Sequence, residues 1–233
     1  MKGEKFWAVV PAAGVGRRMG GNIPKQYLEL AGEAVLVRTM KRLASCPGLS
    51  GLFLGVSAND LYWQGMDFSA SWLKSVCDGG YERADTVSRI LDDMSGTVQQ
   101  HDWVLVHDAV RPCVCHNDIQ QLMMLAPRHD GGLLGMPITD TVKLADSADR
   151  VEETIPRQGL WRAQTPQMFR YGELRQALLI AKNNGVIVTD EASAMEYAGF
   201  HPLMVQGSPE NIKITVPGDL QLAEVFYQNQ ELT

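Results

Sequence analysis

Short apolar runs alternate with amphipathic segments along most of the chain. Runs with the length of buried strands occur at residues 6–10, 51–57, 73–77, 103–106 and 131–137. Between two of these runs, Val87, Ile90, Leu91 and Met94 recur at helical spacing. Alternating strands and helices are typical of a mostly parallel sheet with helices on both faces. The pattern therefore predicts a Rossmann-like α/β fold, in one domain that spans residues 1–233.

The remaining helices and late strands follow from the same periodicities. Further helices are predicted at residues 36–43, 119–126, 174–181 and 218–229. Two late strands are predicted at residues 203–206 and 212–216. Residues 157–167 are polar and bounded by proline, and no strand is predicted there.

A β-hairpin interrupts the α/β rhythm at about residues 138–156. Polar and apolar residues alternate on both sides of Asp146-Ser147-Ala148-Asp149. A two-stranded ribbon alone is marginally stable in water, so it needs a partner surface. A second copy of the chain would supply that surface, and the hairpin therefore predicts a homodimer with a protruding β-arm.

Composition narrows the class of protein. The 233 residues are 45% hydrophobic with a net charge of -6, as expected for one large α/β domain and not for a general nucleic-acid binder. The four cysteines show no zinc-ligand spacing. No export signal is evident and no apolar run approaches the ~20 residues of a membrane span. We expect a cytoplasmic protein with reduced thiols and no membrane association.

A glycine-rich loop follows the first predicted strand and is locally basic. Between Lys5 and Leu28 the sequence has no acidic residue, but it has Arg17, Arg18 and Lys25. Strands that lead into small-residue loops present backbone N–H groups to phosphates in α/β folds. This loop is therefore predicted to bind a polyanionic small molecule.

Two familiar phosphate-binding loops do not match this segment. Met19 stands where the third glycine of G-x-G-x-x-G belongs, so a Rossmann dehydrogenase is disfavoured. The sequence also has no G-x-x-x-x-G-K-[ST] run. The alternative to a phosphate loop is a glycine-rich turn with solvated arginines.

Polar residues at two other predicted strand ends are candidate ligands. Asp108 and Arg111 follow the strand at residues 103–106, where a carboxylate could bind magnesium and an arginine could bind phosphate. A turn salt bridge between them is the alternative, and His107 is interpreted as a packing or hydrogen-bonding residue. The helix that begins near Arg83 could form a second cradle. Helix capping alone could explain Thr189 and Asp190.

Several segments together resemble one enzyme family. They are, in chain order, Pro-Ala-Ala-Gly-Val-Gly-Arg-Arg-Met, Pro-Lys-Gln-Tyr, Gly-Gly-Tyr-Glu-Arg-Ala-Asp-Thr-Val, Val-His-Asp-Ala-Val-Arg-Pro, Thr-Pro-Gln, Thr-Asp-Glu-Ala-Ser-Ala and Asn-Ile-Lys-Ile-Thr. They are similar to segments of the 2-C-methyl-D-erythritol 4-phosphate cytidylyltransferases of the non-mevalonate isoprenoid pathway. The resemblance spans Val9 to Thr215, in the family's order.

The resemblance implies a reaction and a set of site residues. CTP and methylerythritol 4-phosphate would give the cytidine diphosphate alcohol and pyrophosphate, with Mg²⁺ as cofactor. The implied catalytic residues are Arg18, Lys25 and Lys213. The implied nucleotide-binding residues are Ala12, Ala13, Gly14, Gly16, Gly80, Thr86, Asp108 and Ala109, with Asp108 also holding the metal. The implied substrate contacts are Arg111, Thr141, Arg157, Thr165, Thr189 and Asp190, some of them from the partner's arm.

The sequence also departs from the family, and two alternatives stay open. Tyr81 stands where a polar, often acidic residue is expected, Thr86 where serine is common, and Val110 where alanine is usual. The first alternative is a ribitol 5-phosphate cytidylyltransferase, which shares the fold and the loop. The second is a non-catalytic nucleotide-binding regulator.

Overall fold

The computed structural model describes residues 3–14 and 23–231. Its strands are β1 (Phe6–Pro11), β2 (Glu29–Leu30), β3 (Glu33–Ala34), β4 (Leu49–Val56), β5 (Leu73–Asp78), β6 (Trp103–Val106), β7 (Gly132–Pro137), β8 (Val142–Ala145), β9 (Val151–Ile155), β10 (Trp161–Arg170) and β11 (Leu203–Gln206). Its α-helices are α1 (Val35–Ala44), α2 (Leu61–Gln64), α3 (Arg83–Asp93), α4 (His116–Leu125), α5 (Tyr171–Asn183), α6 (Glu191–Tyr197) and α7 (Pro217–Glu231). None of the helices in these ranges combines the length and the apolar character needed to cross a bilayer.

Seven strands form one sheet in the order β11-β7-β10-β6-β1-β4-β5. β1 pairs in parallel with both β4 and β6, β4 pairs in parallel with β5, and β11 with β7. β10 alone among these strands runs antiparallel to its neighbours, β6 and β7. The expectation of a mostly parallel α/β sheet is confirmed.

The central strands are apolar on both sides because both faces of the sheet are covered. In β1, Ala8 and Val10 pack into the cluster that includes residues of α1 and α4. Trp7 and Val9 pack into the opposite cluster, with residues of α3, α5 and α6. This alternation is the period of two that a strand imposes on its side chains. It explains why β1 is apolar at successive positions.

The chain changes direction in the sheet at β1. It goes from β1 outwards to β4 and β5, and then returns to place β6 on the other side of β1. The connections that leave β1 and β6 therefore separate at the carboxyl ends of these strands. Open α/β sheets bind ligands in the crevice at such a switch point.

Two predictions for the last third of the chain are wrong. Residues 161–170 form the long strand β10, although no strand was predicted there. Its polar side chains Gln164, Thr165 and Gln167 are buried and hydrogen-bonded inside the protein, so their polarity did not indicate a surface position. Residues 212–216 form no strand. Their apolar residue Ile214 is instead buried with α7 residues in a third cluster.

The predicted hairpin is present as a separate two-stranded sheet of β8 and β9. Arg150 closes its turn by donating to Asp146 Oδ2 at 2.8 Å. Leu144 and Val151 are 46% and 63% exposed on it. The hairpin is confirmed, and its role as a dimerisation arm stays a prediction.

Candidate active site

A cleft opens at the carboxyl ends of β1 and β6. Its enclosed part has a cavity volume of about 150 Å³. Residues from both sides of the switch point line it: Pro11, Ala12, Ala13, Gly14, Lys25, Gln26, Gly80, Tyr81, Glu82, Arg83, Thr86, Asp108, Ala109, Val110 and Lys213.

The first wall of the cleft is the loop after β1, which Gln26 holds in place. The buried Gln26 side chain donates from Nε2 to the carbonyl oxygens of Ala12 and Gly14, at 3.0 Å each. Lys25, on the same short 3₁₀ turn, donates from Nζ to the Ile214 carbonyl oxygen at 3.1 Å. The Pro-Lys-Gln-Tyr segment therefore joins the glycine loop to the late segment that carries Lys213.

The second wall is the turn between β5 and α3. The Gly80 N–H donates to Thr86 Oγ1 at 3.0 Å, and the Thr86 hydroxyl donates to the Glu82 carbonyl oxygen. A Cβ atom on Gly79 would lie 2.3 Å from Ala13 Cβ, and one on Gly80 would lie 2.2 Å from Asp85 Cβ. Glycine at position 79 therefore permits the two loops to approach this closely, and glycine at position 80 permits the turn to pass this close to α3.

Asp108 lies between three cations at the base of the cleft. Arg83 Nε is 3.0 Å from Asp108 Oδ1, while Lys213 Nζ and Arg111 Nε are 3.0 and 3.3 Å from Oδ2. The Asp108 side chain is 8% exposed and that of Lys213 is 40% exposed. The predicted turn salt bridge between Asp108 and Arg111 is thus present, as one part of a larger cluster.

The cations keep Asp108 ionised. Burial by itself would raise the pKa of its carboxyl, but Arg83, Lys213 and Arg111 outweigh burial and hold that pKa well below its usual range. Burial lowers the pKa of Arg111. The pKa of Arg83 is raised because its acidic neighbours outweigh its burial. The cluster therefore combines the ionised carboxylate of Asp108 with three positively charged side chains. This surplus of positive charge suits a polyanionic ligand.

His107 and Thr165 support Asp108 from below. His107 Nε2 lies 3.0 Å from the Arg111 carbonyl oxygen, so this nitrogen is the donor. Nδ1 then accepts from the Thr165 hydroxyl at 3.0 Å, and Thr165 Oγ1 accepts the Asp108 N–H at 3.1 Å. Burial lowers the pKa of His107 to about 4, so the imidazole is neutral at pH 7. The interpretation of His107 as a hydrogen-bonding residue is confirmed.

A second pocket, with a cavity volume of about 230 Å³, shares Lys213 with the cleft. Arg111, Arg162, Ala163, Gln164, Pro209, Asn211, Ile212 and Lys213 line it. The Arg111 guanidinium is fixed there, because it donates from Nη1 to the Asn211 carbonyl oxygen at 2.6 Å. Two ligand pockets therefore meet at the Asp108, Arg111 and Lys213 cluster.

The sequence and the fold both match known proteins of one family. The family model described as 2-C-methyl-D-erythritol 4-phosphate cytidylyltransferase matches residues 6–229. The chain belongs to this family. It is 47% identical to the member from Hahella chejuensis over 97% of this chain and 94% of that one. It is 50% identical to a member from Pseudomonas aeruginosa, over 92% and 93% of the two chains.

Solved structures of the family have the same fold. The chain is similar to a crystal structure of a 4-diphosphocytidyl-2C-methyl-D-erythritol synthase, with TM-score 0.85, 32% identity and coverage of 97% and 100% of the two chains. It is also similar to the Francisella tularensis cytidylyltransferase of this family, with TM-score 0.83, 33% identity and coverage of 96% and 100%. The nucleotidyltransferase fold expected from the sequence is confirmed.

Most of the candidate residues meet at the cleft or directly below it. Those lining the cleft are Ala12, Ala13, Gly14, Lys25, Gly80, Thr86, Asp108, Ala109 and Lys213. Arg111 lines the second pocket, and Thr165 contacts Asp108 from beneath. Gly16 and Arg18 lie outside the described residues.

Four candidate contacts lie away from the cleft. Thr141 and Arg157 are exposed at the base of the β8–β9 hairpin, where Arg157 donates to the Thr139 carbonyl oxygen. Thr189 is exposed in the connection before α6. Asp190 caps α6 by accepting the Ser193 N–H at 3.0 Å and also accepts from Gln167. Capping therefore accounts for one of the two observed contacts of the Asp190 side chain.

Three contributors to the site were not among the predicted residues. Arg83 and Glu191 form an ion pair across 108 positions of sequence, which no local pattern indicates. Arg162 lines the second pocket from β10, where no strand was predicted. Arg83 and Glu191 both lie in segments that resemble the family. The resemblance could therefore have indicated these two residues.

Nucleotidyltransferases of this family generally depend on a divalent metal ion, and Asp108 is the residue here that could hold one. Within the described ranges no group of three or more acidic, histidine or cysteine side chains gathers at one point. Mg²⁺ is commonly bound by one or two carboxylates together with substrate phosphates. A single ionised carboxylate in a cleft lined by cations fits this donor set once Lys213 and Arg111 release Oδ2.

Proposed function

We propose that this chain transfers a cytidylyl group from CTP to 2-C-methyl-D-erythritol 4-phosphate and releases pyrophosphate, as an enzyme of isoprenoid precursor biosynthesis. Family membership over residues 6–229 supports the reaction. The single structural observation that carries the site is the Asp108 cluster, where two pockets meet around one carboxylate and three cations.

CTP would occupy the cleft with its triphosphate at the cationic end. Lys25, Lys213 and Arg83 lie at this end, and Arg18 is proposed to join them from the loop. The nucleoside would lie towards the uncharged end formed by Ala13, Gly80 and Thr86. Ala12, Gly14, Gly16 and Ala109 are proposed as further contacts of the nucleotide.

The acceptor phosphate would occupy the second pocket. Arg111 and Lys213 would hold it there beside the α-phosphate. We propose Thr165, Thr189 and Asp190 as further acceptor contacts, with Thr141 and Arg157 supplied by the β8–β9 hairpin of a second copy. The exposure of both hairpin residues in one chain supports a site completed by dimerisation.

Mg²⁺ is the proposed metal, with Asp108 as its protein ligand. When bound, it would neutralise charge on the triphosphate. Lys213 would exchange the Asp108 carboxylate for a phosphate oxygen, a change that its 40% exposed side chain permits.

The chemistry requires positioning and positive charge more than proton transfer. The acceptor's phosphate oxygen attacks the α-phosphorus of CTP, and the bond from that phosphorus to the pyrophosphate oxygen breaks. Because the nucleophile is already an anion, no general base is needed. Lys25, Lys213 and the proposed Arg18 would stabilise the negative charge that develops on the phosphoryl oxygens.

Pyrophosphate release from CTP, UTP, ATP and GTP, with Mg²⁺ and with or without methylerythritol 4-phosphate, tests the proposal. We expect release only when CTP and this acceptor are both present. A parallel assay with ribitol 5-phosphate sets the acceptor class, and a clear preference for it would overturn the choice of methylerythritol phosphate. CTP binding without release on any polyol phosphate would favour a non-catalytic regulator.

A cytoplasmic location is part of the proposal. All four cysteines of the chain are free thiols in the structure. Burial raises the pKa of the Cys46 thiol to about 11 and that of Cys113 to about 12, so neither is a reactive thiolate at neutral pH. Free cysteines support a reducing compartment.

A further inference from the structure

Glu191 is a fully buried carboxylate at the start of α6, and it faces an arginine of the active-site cleft. Its side chain is 0% exposed. Oε1 accepts from Arg83 Nη1 at 2.6 Å, and Oε2 accepts from Arg83 Nη2 at 3.0 Å. Such a two-point pair fixes the plane of the guanidinium as well as its position.

A third donor of the same guanidinium, the Nε–H group, points to the cleft carboxylate. Arg83 Nε donates to Asp108 Oδ1 at 3.0 Å. Glu191, Arg83 and Asp108 therefore form a continuous chain from α6 to the end of β6. Through it, the orientation of Asp108 depends on a residue that does not line the cleft.

Glu191 also balances part of the positive charge of Arg83. Five charged groups meet here: Arg83, Arg111 and Lys213 are positive, and Asp108 and Glu191 are negative. Without the Glu191 charge, Arg83 would have Asp108 as its only anion in this cluster. Arg83 would then bind Asp108 Oδ1 more strongly. It would therefore compete with any other cation that binds the Asp108 carboxylate.

We propose that Glu191 is a positioning residue for cytidylyl transfer, which orients Arg83 so that Asp108 and the cleft cations are held in the arrangement that CTP requires. This inference rests on the proposed function. A purely structural role explains the geometry less well. Replacing a buried ion pair with apolar residues is often neutral for stability, so folding alone does not demand this pair.

The test compares Glu191→Gln, Arg83→Gln and the double variant, with kcat/KM for CTP and the CTP dissociation constant from calorimetry as readouts. We expect Glu191→Gln to lower kcat/KM at least tenfold and to weaken CTP binding at least threefold. If Glu191 acts through Arg83, adding Glu191→Gln to Arg83→Gln should change kcat/KM less than threefold. Independent, multiplicative losses would overturn the proposal, and so would a Glu191→Gln enzyme that matches wild type.

Asp102→Asn is the matched control for loss of folding. Asp102 is also a buried acid, 1% exposed, but it precedes β6 at the opposite end of the sheet and accepts from Lys5, Trp7 and Gln99. This variant should lower the melting temperature while kcat/KM per folded molecule stays within threefold of wild type. If Glu191→Gln does not fold, Glu191→Asp keeps the charge and shortens the reach. Wild-type kinetics in Glu191→Asp would also contradict the proposal.

The same assays separate this inference from the proposed function. A wild-type chain that neither binds CTP nor releases pyrophosphate would contradict the proposed function. An active wild-type chain with an equally active Glu191→Gln variant would contradict only the role of Glu191.

Discussion

Lys213 Nζ lies 3.0 Å from Asp108 Oδ2, at the boundary between the two pockets. The ammonium group that we expect to bind phosphate is thus paired with an internal carboxylate. A triphosphate carries more negative charge than one carboxylate, so it can replace Asp108 as the ion-pair partner of Lys213. The ion pair keeps the lysine near its working position, which reduces the ordering that ligand binding must supply.

Removal of either cleft lysine should slow the reaction. We expect Lys25→Ala and Lys213→Ala each to lower kcat/KM more than tenfold, because ~1.4 kcal/mol of lost charge stabilisation already has that effect. Steady-state pyrophosphate release measures this. Lys74→Ala is the control, since Lys74 is exposed on β5 and bonds to the Ser71 carbonyl oxygen. Unchanged rates in both cleft variants would refute the catalytic assignment.

Loss of the Gln26 amide should weaken nucleotide binding. Gln26 holds the loop after β1 through the carbonyl oxygens of Ala12 and Gly14. We expect Gln26→Ala to raise the KM for CTP by up to about thirtyfold, because the two hydrogen bonds that order this loop contribute about 1 kcal/mol each. The exposed Gln121 on α4 supplies the control, Gln121→Ala. A KM equal to that of wild type would show that the loop keeps its shape without Gln26.

Stability should fall below neutral pH because of His107. Its pKa is about 4 in the folded chain, below the ordinary value of 6.5. Between these values the unfolded chain binds more protons, so the free energy of unfolding decreases as pH falls. From pH 7 to pH 5 the contribution of this group should be a loss of about 2 kcal/mol.

Urea unfolding at pH 7 and pH 5 measures this loss. His107→Gln should reduce the difference in the free energy of unfolding between pH 7 and pH 5 by about 2 kcal/mol. His129→Gln, at an exposed position, should leave this difference as it is in the wild type. Equal pH dependence in wild type and His107→Gln would show that another group is responsible.

Charges on the β8–β9 hairpin should disrupt the proposed dimer. Leu144 and Val151 are exposed apolar residues on it, and a carboxylate at either position would lose hydration in an interface. We expect the Leu144→Asp, Val151→Asp double variant to be monomeric by light scattering, and less active if the arm completes the partner's site. A monomeric wild type at assay concentration would contradict the dimer itself.

The central sheet could be predicted from the sequence because its strands are apolar on both faces. β10 could not, because its buried Gln164, Thr165 and Gln167 find hydrogen-bond partners that only the tertiary structure supplies. The 212–216 segment shows the opposite case. Its alternation indicated a strand, but its backbone pairs at one point, from Ile214 to Val110, before α7 begins.

The sequence predicted charged residues that line the cleft but not the ion pair beside it, for a related reason. Lys25, Asp108 and Lys213 carry charges in recognisable segments, and they do meet at the cleft. The pairing of Arg83 with Glu191 depends on where α3 and α6 lie relative to each other, which local spacing does not encode. The residues that line the cleft could therefore be named from the sequence more readily than the residues that orient them.

The hydrogen bond from Lys25 to the Ile214 carbonyl oxygen joins parts of the chain that are 189 positions apart. The two lysines of the cleft consequently come from opposite ends of the polypeptide. During synthesis, the glycine loop emerges first and must wait for the last fifth of the chain before its second lysine arrives. A nascent or truncated chain can contain most of the sheet and still lack Lys213.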